Sequence, residues 1–160
     1  MISLIVAISK NGAIGRNNKL LFHIKEDLNF FKEVTMSKTM IMGRKTFESL
    51  PSVLPGRKHV VVTRDLDYKV NHKQVEVVNS IESILDKYKD SKEEVFIIGG
   101  GQVYTQALRS ELIDTLYITV VDEIVDDADT FFPEIDSELY SICKRIQLEE
   151  NAEVLVYKKL

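Results

Sequence analysis

The chain has 160 residues, 44% hydrophobic and 29% charged, which is the composition of a globular domain and unlike that of a disordered segment. A formal net charge of -4 offers no bulk attraction to a polyanion, so neither nucleic acid nor a membrane surface is an expected partner; a small molecule is. The single cysteine, Cys143, excludes an internal disulfide and a multi-cysteine zinc site, suits a reducing cytoplasm, and leaves no metal expected.

Taken in chain order, "MISLIVAISKNG" opens with an apolar run from Ile2 to Ile8 broken only by Ser3. No basic residues precede it and no small-residue cleavage site follows, so it reads as a buried first strand rather than a signal peptide. No stretch approaches the ~20 apolar residues of a membrane span. A helix is predicted over 25–35, then a strand at "TMIM" and a helix over 44–50. Strands at "HVVVT" and "VEVV" lead to a helix over 80–88, a strand at "EVFIIGG", a helix over 101–108 and a strand at "LYITVV". Near-continuous β-branched runs alternating with helices predict an α/β sandwich on a largely parallel sheet. The last two runs, "LYSICKRIQL" and "EVLVYKK", are separated only by "EENAE", which predicts an antiparallel hairpin at one edge. With no repeat, low-complexity tract or linker, residues 1–160 are expected to form a single domain.

Ligands of open α/β sheets bind beyond the carboxyl ends of the strands, and three such ends carry suggestive residues. "TMIMGRKTFESL" passes through Gly43 into a helix that begins with Arg44, Lys45 and Thr46, two cations and a hydroxyl suited to an anion. A basic surface junction would look the same. "EVFIIGGGQVY" places three glycines after a buried strand, where backbone can approach a ligand closely, although the run departs from G-x-G-x-x-G and resembles a tight turn equally well. "HVVVTRD" ends in Thr63 and Arg64, which suit the ribose 2′-phosphate that separates NADP from NAD. Together these ends favour a dinucleotide more than any one does alone.

Asp27 is the remaining candidate. In a helix starting near Lys25 it shares a stripe with Phe30, Phe31 and Val34, while Glu26, Asn29 and Glu33 share the opposite one. An acid on the apolar side requires a hydrogen-bonding partner or a ligand, because unpaired burial is costly. A first-turn acid that complements the helix dipole is the alternative, but Glu26 already serves there.

The blocks "MISLIVAISKNGAIGRNNKL", "EDLNFFKEVTM", "MIMGRKTFESL", "LPGRKHVVVTR", "FIIGGGQVY", "LYITVV" and "DADTFFPEI" closely resemble, in order and spacing, the bacterial dihydrofolate reductases over essentially the whole chain. The resemblance implies a three-layer α/β/α sandwich with an eight-stranded, mostly parallel sheet, an antiparallel C-terminal edge and about four helices. It implies NADPH as cofactor and 7,8-dihydrofolate as substrate, with hydride to C6 and a proton to N5. The product, tetrahydrofolate, would supply one-carbon metabolism and thymidylate and purine synthesis. A cytoplasmic monomer that binds diaminopyrimidine and methotrexate-like antifolates is implied as well.

By the same resemblance Asp27 hydrogen-bonds the pterin 2-amino group and N3 and promotes protonation of N5, with Leu20, Phe22 and Thr119 at the other catalytic positions. Thr119 supports the acid. Ile5, Ala7, Leu28, Phe31, Leu50, Leu54 and Ile98 match the apolar walls, and Arg57 matches the arginine that holds the glutamate α-carboxylate. Ala7, Ile14, Gly15, Gly43, Arg44, Lys45, Thr46, Thr63, Arg64, Ile98, Gly99, Gly100, Gly101, Gln102, Val103 and Tyr104 fall at cofactor positions, with a non-proline cis peptide at Gly99–Gly100. Departures cluster near the acid. Leu21 and Phe22 stand where the family has proline and tryptophan, "PSVLPGR" replaces the usual approach to Leu54, and Ala128 replaces a glycine before Asp129, whose counterpart latches the active-site loop. Hydride transfer is expected to survive while loop closure and water placement differ. Two rivals stay open: the related NADPH reductase of riboflavin synthesis, expected to lack the acid of "EDLNFF", and a folate- or nucleotide-binding protein without turnover.

Overall fold

A computed structural model describes residues 1–16, 19–148 and 151–160. Its elements in chain order are β1 (Ile2–Ser9), β2 (Ala13–Arg16), β3 (Lys19–Leu20), α1 (Lys25–Thr35), β4 (Thr39–Gly43), α2 (Arg44–Ser49), β5 (Lys58–Val62) and β6 (Val75–Val78). They continue with α3 (Ile81–Tyr88), β7 (Val95–Gly99), α4 (Gly101–Arg109), β8 (Thr115–Val121), β9 (Thr130–Phe131), β10 (Tyr140–Leu148) and β11 (Ala152–Lys159). The eight predicted strand runs are the eight strands of one sheet, in the order β10-β11-β8-β1-β7-β4-β5-β6. Every pairing from β8 to β6 is parallel, and β11 runs antiparallel to both β8 and β10.

Period-two alternation divides the sheet into two faces. On one, Ile2, Leu4 and Val6 of β1, Ile41 of β4, Val60 of β5, Val95 and Ile97 of β7, and Leu116 and Ile118 of β8 pack with the buried side chains of α3 and α4. Helix α3 contributes Ile81, Ile84, Leu85 and Tyr88, the spacing of a one-sided helical stripe, and starts where Ser80 accepts a hydrogen bond from the Ser83 N–H. The other face carries the alternate residues. Met40, Met42 and Val61 meet Phe31 of α1 and Phe47 of α2, while Val121, Val154 and Val156 meet Phe30 of α1. Two helices therefore cover each face, as the resemblance implied.

The main departure from expectation is a second sheet, β3-β2-β9, whose short strands leave no periodic signal. It pairs Ala13 with Phe131 and Gly15 with Thr130, tying the segment after β1 to the segment after β8. Strand β7 returns late in the chain to sit between β1 and β4, so the carboxyl ends of β8, β1, β7, β4 and β5 line up side by side.

Leu85 is buried within the α3 face and remote from those strand ends. Leu85→Ala should cost about 2–5 kcal/mol of stability, read as a lower urea midpoint with an unchanged slope; a change under ~1 kcal/mol would show that the α3 face is loosely packed.

Candidate active site

Asp27 stands in the first turn of α1, on the predicted stripe. The Thr119 hydroxyl donates to its Oδ1 at 2.5 Å. Thr119 is 1% exposed and sits level with Ala7 on one neighbouring strand and Val154 on the other, on the face of β8 opposite Leu116 and Ile118. Burial pushes the Asp27 carboxyl above the usual aspartate range, and the Thr119 hydrogen bond draws it back in part. Among the described residues Oδ2 accepts no hydrogen bond, so the acid retains an acceptor edge for donors from outside the chain.

Apolar side chains gather around this strand end. Phe31, Leu50, Leu54 and Ile98 belong with Phe47 to the cluster on Met40, Met42 and Val61. Ile5 is buried, Ala7 is partly so, and Leu28 projects from α1 with 46% of its surface exposed, an apolar side chain without a core partner. Phe22 falls in the neighbouring cluster with Ile24, Phe30 and Tyr117. The side chain of Leu20 lies outside the described residues.

Arg57 is 5% exposed. Its Nε donates to the Pro55 carbonyl at 3.1 Å and one terminal nitrogen donates to Thr35 Oγ1 at 3.3 Å, while the Thr35 hydroxyl donates to the Phe31 carbonyl at 2.7 Å. Burial lowers the guanidinium's pKa, and no carboxylate among the described residues pairs with it. A buried cation with spare N–H donors calls for an external anion, and a carboxylate fits its fork in two parallel bonds.

The glycine run meets the second cluster of expected residues. The Gly99–Gly100 peptide is cis, and Gly99 has φ 134°, a conformation open to glycine. The Tyr104 hydroxyl lies 2.8 Å from both the Ile5 and the Ile98 carbonyls, fixing the ends of β1 and β7 together. A Cβ on Gly101 would stand 2.7 Å from Thr130 Cγ2 and force a shift there, and one on Gly43 would stand 3.3 Å from Val103 Cγ2, so the junction is tightly packed around its glycines. Helix α4 begins at Gly100 without a side-chain cap, and its first internal bond is Tyr104 N–H to the Gly100 carbonyl. The N–H groups of Gly101, Gln102 and Val103 are thus free to receive a diphosphate, which fits a dinucleotide. An adjoining cleft of about 370 Å³ is lined by Arg64, Gly101, Gln102, Thr105, Gln106 and Arg109 on one side and Asp129, Thr130 and Phe131 on the other.

The structure qualifies some of the expected cofactor residues. The side chains of Val103 and Tyr104 are buried in the core, so what they offer at the helix start is backbone. Arg44 is already engaged, with Glu48 at 3.5 Å, Asp65 at 3.2 Å and the Tyr68 ring 4.2 Å below its guanidinium. Thr63 Oγ1 accepts from the Asp65 N–H at 3.2 Å, and Asn79 donates to the Thr63 carbonyl. Arg64 and Lys45 are exposed and make no ion pair among the described residues, and Thr46 Oγ1 lies 3.3 Å from where a Gly100 Cβ would be. Ile14 is buried beside Gly15, whose carbonyl accepts from the Asp129 N–H at 3.1 Å. Sequence reading missed Thr35, Asp65 and His59, because each acts on a neighbour that only the fold supplies.

The family model described as "Dihydrofolate reductase" matches residues 1–158. The chain belongs to the dihydrofolate reductase family. It is similar to "Dihydrofolate reductase type 3" of Salmonella typhimurium, 43% identical over 84% of this chain and 79% of that protein. It is likewise similar to "Dihydrofolate reductase" of Neisseria gonorrhoeae, 41% identical over 98% of this chain and 93% of that protein. A solved structure, "Dihydrofolate reductase from Enterococcus faecalis complexed with NADP(H)and RAB-propyl", superposes with a TM-score of 0.86 at 33% identity, covering 99% of this chain and 96% of that one.

The raised carboxyl of Asp27 carries a sign for stability. A group with a higher pKa folded than unfolded binds its proton more tightly in the native state; that contribution is complete below the unfolded value and is lost as pH rises through the folded one. Asp27→Asn should therefore raise the melting temperature at neutral pH, with the gap closing on acidification. Calorimetry across pH tests this, and a lower melting temperature at neutral pH would show that the carboxylate holds the fold together.

Proposed function

We propose that the protein, as a cytoplasmic, single-domain monomer, reduces 7,8-dihydrofolate to 5,6,7,8-tetrahydrofolate with NADPH, so feeding one-carbon metabolism. The observation that carries this reading is the half-buried Asp27, held on one oxygen by Thr119, together with the apolar cluster of Phe31, Leu50, Leu54 and Ile98 and the buried Arg57, which has no carboxylate partner among the described residues. An acidic acceptor edge suits an amidine-like pterin edge, the apolar walls suit two aromatic rings, and the buried guanidinium suits a terminal carboxylate.

Bound at the uncapped start of α4, NADPH would supply the hydride that adds to C6. The residues of the chain do the rest. Asp27 orients the pterin by accepting hydrogen bonds from its 2-amino and N3 N–H groups, and its negative charge favours a proton at N5, reached through solvent. Thr119 keeps the carboxylate turned toward the ligand, and the Ile5, Ala7 and Ile98 wall keeps bulk water from the reacting face. Gly101, Gln102 and Val103 offer N–H groups to the diphosphate, while Thr63 and Arg64 after β5 would meet the 2′-phosphate. The same acid would pair with the cation of a diaminopyrimidine antifolate.

Loss of NADPH absorbance on adding dihydrofolate to the purified protein is the direct test, and binding of both without turnover would sink the enzyme reading. Asp27→Asn should leave NADPH affinity within about twofold but cut turnover by about 10²–10⁴ near neutrality, with partial recovery in acid as solvent protonates N5. Equal loss of cofactor binding would make Asp27 structural.

The Arg44–Asp65 pair adds an expectation about cofactor choice. Asp65 holds the cation beside the 2′-phosphate residues and sets a like charge against that phosphate. Asp65→Asn should tighten NADPH about five- to tenfold and leave NADH unchanged, read by calorimetric titration of the protein alone. Equal gains for both nucleotides would show that Asp65 acts on something other than the phosphate.

A further inference from the structure

His59 opens the apolar stretch of β5, and alternation places it with Val61 on the face covered by α1 and α2. Its side chain is completely buried. Nε2 accepts the Leu54 N–H at 3.0 Å, which leaves the ring proton on Nδ1 to donate to the Arg57 carbonyl at 3.1 Å. Gln74 closes the same corner by donating to the Arg57 carbonyl at 3.0 Å and the Leu54 carbonyl at 3.4 Å, and Phe47 of α2 packs edge-on against the imidazole. One buried ring thus grips both ends of the turn 54–57, from which Leu54 enters the apolar cluster and Arg57 reaches Thr35. The tip of the turn is exposed at Pro55 and Gly56, where the Gly56 carbonyl accepts from the Ser37 N–H at 3.0 Å, so the buried hold on its two ends comes from beneath, from His59 and Gln74.

We propose that His59 is a positioning residue that sets affinity for the carboxylate end of the substrate by fixing the Leu54–Arg57 turn from beneath. The inference rests on the reading of Arg57 as the substrate's carboxylate partner. His59 does not touch the substrate; it aims the residues that do. The arrangement requires a neutral imidazole, because a protonated Nε2 would present a donor to the Leu54 N–H donor. Burial lowers the pKa of His59, the hydrogen bond to the Arg57 carbonyl offsets this in part, and the neighbouring Arg57 guanidinium acts downward again, so the net shift favours the neutral ring and the grip weakens on acidification. Failure should spare the pterin end, which is held from α1 and β8.

The test compares dihydrofolate with a 6-methyl-7,8-dihydropterin, which has the reacting ring but no aminobenzoylglutamate tail. His59→Leu removes both ring hydrogen bonds at similar volume and should raise KM for dihydrofolate about tenfold with kcat within about twofold. KM for the truncated pterin should not move. His59→Gln keeps an acceptor for the Leu54 N–H and should recover most of the loss. In the unaltered protein the ratio of the two KM values should rise on acidification below the ordinary histidine range, and in His59→Gln it should be flat; this holds even if the leucine variant does not fold. Parallel rises in KM for both substrates, a fall in kcat alone, or a pH-independent ratio in the unaltered protein would overturn the proposal. Failure of the unaltered protein to turn over either substrate would instead bring down the functional reading beneath it.

Discussion

The hydrogen bond from Thr119 to Asp27 joins the first turn of α1 to a buried strand and decides what the rest of the site can be. A carboxylate among apolar side chains is expensive unless its charge is answered, and one hydroxyl answers half of it. Because Thr119 donates to one oxygen, the other is left as an acceptor without a donor among the described residues. A full set of internal donors would have made Asp27 a structural acid, and a wholly apolar surround would have kept it protonated at working pH. In the intermediate arrangement burial raises the carboxyl's pKa and the Thr119 hydrogen bond offsets part of the rise.

That bond exists only because the sheet sorts its residues by face. The side chains that alternate with Leu116 and Ile118 turn toward α1, so Thr119 arrives under Asp27 by register, level with Ala7. The same rule brings Ile5, Ile98 and His59 to that face while Leu4, Ile97 and Val60 serve the α3 and α4 core. Shifting any one strand by a residue would exchange its site residues for core residues, which couples folding register directly to chemistry. The glycine junction adds a second constraint, since a Cβ at Gly101 would stand 2.7 Å from Thr130 and those at Gly43 and Gly100 would press on Val103 and Thr46 at 3.3 Å.

Much of this was legible in the residues, and the exceptions have physical causes. The eight long β-branched runs and the four amphipathic segments carry strong periodic signals, and α1 spans the predicted 25–35. The placement of Asp27 on the apolar stripe followed from helical spacing alone. Strands β2, β3 and β9 had no such signal: "AIGR", "KL" and "TF" carry no β-branched run and become strands only when Thr130 and Phe131 come back to Gly15 and Ala13. The partner of Asp27 came from resemblance, because a hydrogen bond spanning 92 positions has no local trace. His59 was invisible as a site residue because its partners are backbone groups, and any residue can supply those. Arg44 read as a free cation for the complementary reason, since Asp65 finds it only when β5 and α2 lie side by side.

The departures upstream of α1 follow from the same accounting of donors. Phe22 packs with Ile24, Phe30 and Tyr117 on the β8–β11 side, an apolar surround to which a benzyl ring contributes area and no hydrogen bond. Among the described residues Thr119 is then the one side chain that donates to Asp27, so the orientation of the acid depends on a single bond and on the packing of α1. The segment before it is tethered at a distance, by the Asp129 N–H to the Gly15 carbonyl and by the exposed Arg16–Asp127 pair at 2.5 Å. Exposed pairs of that kind contribute at most ~1 kcal/mol and weaken with salt. The acid is thus held from the sheet by Thr119, while the exposed tether of the preceding segment is the contact that salt weakens.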